Sequence, residues 1–380
     1  MVKNGMNMST IKNKNKNAIL SYINDIVAVS RIDVAEATGL TGASVTQLTT
    51  ELIRDGYLRE IGLSDEVRHK AGRKKILLEL NPEYAYVITV NIEPEITSLA
   101  LENFQGKALT IKKLKTNKAI AAEEYLNFLI LEIKEIINSL SSRNKNKVKA
   151  VSVGITGNVD KEKGISIFAN GIWNKSVSIK DILEKELNIP VLVENNIKAL
   201  SLAELLYGIG RKCNSFMVIK WGPGLGSAFI TDNKVYEGYN GQTAEIGHVI
   251  VDSNGEKCSC GRSGCLETKI SYTALRNIMN FNPDTFESDY LNSNLENKKR
   301  IDEIISLLAR TIINSGVLFF PKYIILEGSL FSNKIIRNKL IEYCKSFDQE
   351  YDENRILFSE LYNQEEYIGL AAVFVNKFLY

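Results

Sequence analysis

Apolar positions recur along this chain with two different periods, and the period changes near residue 84. Before that point they fall three and four residues apart, the spacing of amphipathic helices. Ala18 to Ile26 predicts a first helix. Arg31 to Thr38 predicts a second, with Val34 and Ala37 on its inner side and Ser30 as its N-cap. Gly39 makes a turn, and Thr41 or Gly42 opens a third helix, from about Ala43 to Asp55, that buries Val45, Leu48, Leu52 and Ile53. Gly56 stops it. Tyr57 to Glu60 and Lys75 to Leu80 then read as strands flanking a polar loop.

From Tyr84 onward short apolar runs alternate with helical patterns. Residues 85–92 and 96–109 predict hairpin strands, and Ala122 to Leu140 a helix. Residues 149–157 predict a buried strand ending in glycine, Ile179 to Leu187 a helix, residues 190–196 a strand, and Ile197 to Leu206 a helix. Residues 215–230 read as a glycine-interrupted strand pair, and 301–317 and 366–379 as apolar helices. The alternation predicts an α/β fold with strands sandwiched by helices. No internal repeat or long low-complexity linker interrupts it.

Two short helices joined by a glycine turn form a helix-turn-helix pattern, and the strand, loop and strand that follow make it a winged one. The loop carries charge. RHKAGRKK, from Arg68 to Lys75, holds five Lys or Arg side chains and no acidic one. On the third helix Ser44, Thr46, Gln47 and Thr50 face outward, and such side chains bond base edges or phosphates in a major groove. Arg73, Lys74 and Lys75 would reach phosphates or an adjacent minor groove. The expected partner is double-stranded DNA. The tract Lys12-Asn13-Lys14-Asn15-Lys16 reads as a frayed polar tail.

The chain has 380 residues, 44% hydrophobic and 24% charged, which suits two or three compact soluble units. Its net charge is only +2, so any nucleic-acid contact must rest on local charge. No apolar run approaches a bilayer span, and the start lacks a signal-peptide core, which predicts a cytoplasmic protein with no membrane partner. Cys213 and Cys344, far apart in sequence, read as semi-buried thiols rather than a disulfide.

The other three of the five cysteines cluster with one of the two histidines. His248 is followed after nine residues by Cys258-Ser259-Cys260, and Cys265 comes after four more. Three thiolates and an imidazole are a closed tetrahedral donor set for structural zinc, with no open position for an activated water. Gly255, Gly261 and Gly264 permit the turns that bring the ligands together. Neighbouring buried thiols are the alternative, and the glycine-rich polar setting argues against it.

The run Glu-Ile-Gly-His (245–248), followed by Cys-x-Cys-Gly-x-x-Gly-Cys-Leu-Glu (258–267), resembles the signature of the ROK family, which groups sugar-responsive repressors with sugar kinases. The resemblance spans Tyr84 to the end, and family repressors carry a winged helix-turn-helix in front. It implies a two-lobed, actin-like sugar-kinase fold over residues 81–380, with lobes of roughly 81–196 and 197–380 and a C-terminal helix that returns to the first lobe. Residues 1–80 are then the DNA-binding domain. It also implies a sugar pocket in the cleft between the lobes, built from Glu245, His248 and Glu267 with Asn195, Asn196 and Asn170. The histidine would serve twice, one ring nitrogen on zinc and the other facing a sugar hydroxyl.

Family kinases open this domain with Asp-x-Gly-Gly-Thr, and the matching segment here is Asn91-Ile92-Glu93-Pro94-Glu95. A phosphate turn needs close backbone approach and no local negative charge, which Glu93 and Glu95 oppose. Where the kinases have a catalytic Glu-Asn-Asp, this chain has Glu194-Asn195-Asn196, and an amide is no general base. Gly222-Pro223-Gly224-Leu225-Gly226 resembles the family's second phosphate loop, or simply turns a hairpin. Leu326-Glu327-Gly328-Ser329 has Glu327 where a glycine is usual. The expectation is a sugar sensor rather than an enzyme, acting as a homodimer or homotetramer; the alternative is a sugar kinase with an attached DNA reader. Trp173 reads as a core tryptophan. No arginine or lysine is evident beside the signature, which favours an unphosphorylated effector, and the pattern is closest to repressors of the xylose type.

Overall fold

In the computed structural model, residues 8–26, 28–63, 75–169, 171–239, 241, 242, 244–278, 282, 285–361 and 364–379 are described. They form two compact units. The first takes in residues 1–154, 179–193 and 370–380, and the second residues 155–178 and 194–369.

The first unit begins with α1 (Met8–Ile26), β1 (Val29–Ser30), α2 (Arg31–Thr38), α3 (Gly42–Arg54), β2 (Leu58–Leu63) and β3 (Ile76–Leu80). Ser30 caps α2 through a reciprocal capping box with Asp33, and Gly39 ends it in the left-handed conformation, as the residue types predict. Thr41 caps α3 by accepting from the Ser44 N–H. The strands pair antiparallel in the order β1-β3-β2, which closes the wing onto the helices.

Three expectations need correction here. The first helix starts at Met8, ten residues earlier than its apolar pattern, and the supposed tail is helical. Lys12 bonds Glu51 at 2.8 Å, and Lys16 lies 3.1 Å from Glu51 and 3.7 Å from Asp55, so two lysines one turn apart meet the acidic edge of α3. Ala37 is exposed, and Ile53 is half-buried while Thr49 takes the core position. Thr49 tolerates burial because its hydroxyl donates to the Val45 carbonyl at 2.7 Å and accepts from Arg31 Nε at 3.0 Å.

The rest of the first unit is a five-stranded sheet, ordered β10-β7-β4-β5-β6, of β4 (Tyr86–Ile92), β5 (Ile96–Asn103), β6 (Ala108–Lys115), β7 (Val148–Ile155) and β10 (Val191–Asn195). The helices α4 (Ala122–Ser139), α5 (Ser142–Lys145) and α6 (Ile179–Leu187) lie between strands in sequence, as does the small β8 (Asn158–Asp160) and β9 (Ile165–Phe168) hairpin of the second unit. The last helix, α13 (Ile368–Leu379), belongs mostly to the first unit. Its Phe374 and Phe378 join Phe104, Tyr84 and Tyr57 in a chain of aromatic rings, with Tyr57 and Tyr84 centroids 4.3 Å apart and Phe104 and Phe378 5.4 Å apart. Tyr57 sits between α3 and β2, so this cluster fastens the winged element to the sheet.

The second unit carries α7 (Asn196–Leu206), β11 (Phe216–Trp221), β12 (Leu225–Thr231) and β13 (Lys234–Val235), then α8 (Leu266–Ile270), α9 (Tyr272–Ile278), α10 (Phe286–Asn292) and α11 (Leu295–Phe319). β14 (Tyr323–Glu327), α12 (Lys334–Phe347) and β15 (Ile356–Phe358) complete it. The sheet runs β13-β12-β11-β14-β15, antiparallel across β11, β12 and β13 and parallel from β11 through β15. Trp221, Ile305, Leu308, Leu326, Phe331, Leu340 and Cys344 are among its buried core. The helix expected at 301–317 starts earlier, at Leu295, because Asn294 caps it through its side chain. Cys213 is buried too, and Trp173 is a core residue whose indole donates to Ser166 Oγ at 3.0 Å.

Candidate functional site

The cysteines and histidine converge. Ligand atoms of His248, Cys258, Cys260 and Cys265 all lie within 4.8 Å of one another. His248 Nδ1 stands 3.6 Å from Cys258 Sγ, and Cys260 Sγ 3.6 Å from Cys265 Sγ. Tetrahedral zinc, with bonds of ~2.3 Å to sulfur and ~2.0 Å to nitrogen, spaces its donors by roughly 3.5–3.8 Å, so the set fits that ion. A disulfide would bring two sulfurs to ~2.05 Å, and all three cysteines are free. Burial, then the Cys260 and Cys258 thiols, push Cys265 up to about 12, so a cation among the sulfurs is what would hold all three as thiolates.

The backbone that gathers these ligands depends on glycine at two places. Gly264 has φ +73°, and a Cβ there would sit 1.6 Å from the Asp252 carbonyl oxygen. A Cβ on Gly255 would lie 2.6 Å from Gly264 itself. Val251 donates to the Gly264 carbonyl and Gly264 to that of Glu256, at 2.9 and 2.8 Å. Cys265 then takes the N-cap position of α8, and Glu267 follows two residues on, in the helix's first turn. With Nδ1 turned to the sulfurs, His248 keeps Nε2 for another partner.

The five described candidates for the sugar pocket all belong to the second unit. Glu245 is exposed; desolvation raises its carboxyl above the ordinary range, His248 and Lys198 pull it back, and Glu267 adds to the rise. Glu267 Oε2 accepts from the Leu225 N–H at 3.1 Å, and a Cβ on Gly224 would lie 2.8 Å from that oxygen. The glycine run 222–226 thus turns the β11–β12 hairpin and lets Glu267 approach it. Asn195 caps α7: its Oδ1 accepts from Ile197 and Lys198, and its Nδ2 donates to the Gly157 carbonyl at 2.9 Å. Its amide is largely committed to the backbone. Asn196 opens α7 beside it. Asn170 lies outside the described residues.

Sequence reasoning missed the cations. Lys198, two residues after Asn196, is buried and acts electrostatically on Glu194 and Glu245. Lys161 acts on Glu194 as well. The expectation of no arginine or lysine beside the signature is therefore corrected: Arg262, inside it, donates to the His248 carbonyl at 3.3 Å and acts on Glu245, and Lys198 acts on Glu245 from another element. A lysine in the first turn of a mostly apolar helix was the available signal.

At the winged element, Thr46, Gln47 and Thr50 are exposed on α3 and Ser44 is half-exposed. The Thr46 and Thr50 hydroxyls donate to carbonyls one turn back, at 2.8 and 2.7 Å, leaving oxygen lone pairs outward. Lys75 pairs with Asp33 at 3.0 Å. Arg73 and Lys74 fall outside the described residues. Asn91 is buried in β4, and Glu327 is buried at the end of β14.

A groove of about 660 Å³ runs along α11, lined by Leu307, Thr311, Val317 and Leu318 and by Val249 and Ile250. Of the five, only Glu245 touches it. No helix among the described residues is long and apolar enough to cross a membrane.

The family model described as ROK family matches residues 89–377. The xylose repressor of Caldicellulosiruptor bescii is 29% identical over 72% of this chain and 67% of its own length. The crystal structure of a ROK family transcriptional regulator, a homologue of the E. coli MLC protein, superposes with a TM-score of 0.79 at 23% identity, covering 97% of each chain. A ROK family glucokinase from Streptomyces griseus, solved with glucose and AMPPNP, gives 0.64 at 21% identity, over 77% of this chain and all of its own. The fold is thus the one repressors and kinases of this group share.

Proposed function

This chain belongs to the ROK family, and from that premise we propose that it is a sugar-responsive transcriptional repressor of sugar uptake or catabolism genes. Residues 1–80 read operator DNA, with Ser44, Thr46, Gln47, Thr50, Arg73, Lys74 and Lys75 at the contact. Residues 81–380 bind the sugar whose arrival releases the operator. The observation that carries this reading is the His-Cys₃ cluster, whose His248 acts with Glu267 on the carboxylate of Glu245, in a chain that also presents a capped, polar-faced α3. Carboxylates and a fixed imidazole suit adjacent hydroxyls that each donate and accept.

The ion at the cluster is zinc, held by His248, Cys258, Cys260 and Cys265. It supplies rigidity, fixing the His248 ring and the α8 turn that carries Glu267. Asn195, Asn196 and Asn170 complete the pocket, Asn195 mainly by shaping it. An unphosphorylated sugar, xylose foremost, is the effector.

The protein is a sensor and not a kinase, because Asn196 stands at the general-base position and cannot take a proton from a hydroxyl. Glu327 and the Glu93–Glu95 turn place carboxylates where nucleotide phosphates would need donors. The protein is cytoplasmic and works as a homodimer or homotetramer, since a single winged unit offers little contact area.

The test is operator binding at one stated salt concentration, using DNA upstream of this gene and its neighbours, with and without sugar. Sugar should weaken binding at least tenfold, and Gln47→Ala should weaken it without sugar. ATP-dependent sugar phosphorylation at an enzyme's rate would establish the kinase reading instead.

A further inference from the structure

Beside the candidate pocket two lysines close on one carboxylate. Lys198, in the first turn of α7, is only 7% exposed. Its ammonium donates to Glu237 Oε2 at 2.5 Å and to the Gly241 carbonyl at 2.7 Å. Lys161, which follows β8, donates to the other oxygen, Glu237 Oε1. Each oxygen thus has its own ammonium, which is how a bound anion would be held. Glu237 itself comes from the segment after β13, and it keeps a third of its side chain exposed. Glu194, 6% exposed, lies in the field of both lysines, and Glu245 in that of Lys198.

We propose that Glu237 is an internal anion that sets the class of effector. It occupies the two-lysine site that a phosphate or carboxylate on a sugar would otherwise take, so the pocket beside it accepts neutral sugars and turns anionic ones away. The inference rests on reading Glu245, His248 and Glu267 as the sugar site. Both ammoniums already act on Glu194 and Glu237, and Lys198 on Glu245 as well, so the charge of the two lysines is answered by the protein's own carboxylates. A buried lysine stripped of its carboxylate is costly, and an external anion would relieve that cost. Withdrawing the Glu237 charge therefore converts a strap into a binding site.

The experiment is calorimetric titration of the full chain and of Glu237→Gln with xylose, glucose, glucose 6-phosphate, glucuronate and inorganic phosphate. The wild-type protein should bind a neutral sugar and take the anions at least a hundredfold more weakly. Glu237→Gln should gain tenfold or more for glucose 6-phosphate and for phosphate, and the gain should vanish in Glu237→Gln/Lys198→Met and shrink with salt. Glu237→Thr reads the same gain if the glutamine variant does not fold. Equal wild-type affinity for glucose and glucose 6-phosphate, or a folded variant with no gain, would overturn the proposal. If no sugar of either kind binds the wild type, it is the sugar reading that fails, while the phosphate gain still reports on the two-lysine site.

Discussion

Glu102 shows how much one side chain can ask of its surroundings. It is fully buried on β5, accepts a hydrogen bond from Thr89 Oγ1 at 2.8 Å, and its Oε2 has no hydrogen-bond partner among the described residues. Burial raises its carboxyl to about 8, against 4.5 for the free group. The folded protein therefore holds a proton that the unfolded chain releases. Stability should fall as pH rises from 4.5 to 8 and level off above, with a contribution on the order of a few kcal/mol. Glu102→Gln should flatten that part of the profile and raise the melting temperature at pH 8, measured by thermal unfolding across pH; an unchanged slope would show that the residue releases its proton in the folded state too. Lys198 makes the complementary point. Its sequence neighbours gave no sign of the acidic partner, which arrives from thirty-nine positions away.

Among the elements, the turn from Val249 to Cys265 depends most on what binds it. It has few apolar side chains of its own, and Val249 and Ile250 face outward. Its order comes from the glycine approaches and the four converging donors. Cys258→Ser should abolish stoichiometric zinc, measured by elemental analysis, and lower the melting temperature by several degrees. Because the same turn aims His248 and Glu267, sugar binding should go with it. Full metal content in that variant would remove Cys258 from the site. The cluster was legible because metal ligands of this kind are confined to a short span. The start of α1 was not legible, because its lysines are stabilised by Glu51 and Asp55 on another helix. Glu51 records the contact: hydrogen bonds from Lys12 and then Lys16 hold its carboxyl down at about 2.

At the scale of the whole molecule the exposed apolar residues carry information. Val249, Ile250, Val317, Leu318 and Phe320 are between 47% and 78% exposed, and all but Phe320 line the groove along α11. Monomers seldom present such a patch. A second copy covering it would supply the paired DNA readers that tight operator binding needs. Leu318→Glu should shift sedimentation toward the monomer and cut operator affinity at least tenfold while sparing sugar binding. A variant that still sediments as the wild type would place the interface elsewhere.

By itself the sequence determined the winged helix-turn-helix, the α/β alternation and the His-Cys₃ donor set, because each is written in local spacing: helical and strand periods, caps such as Ser30 and Thr41, and ligands within eighteen residues. Only the tertiary structure decided that α1 reaches back to Met8, that Asn195 spends its amide on capping α7, and that Glu237 stands between Lys161 and Lys198. Those outcomes depend on charges and hydrogen-bonding groups from distant segments meeting in partly desolvated places, where pairing decides the conformation.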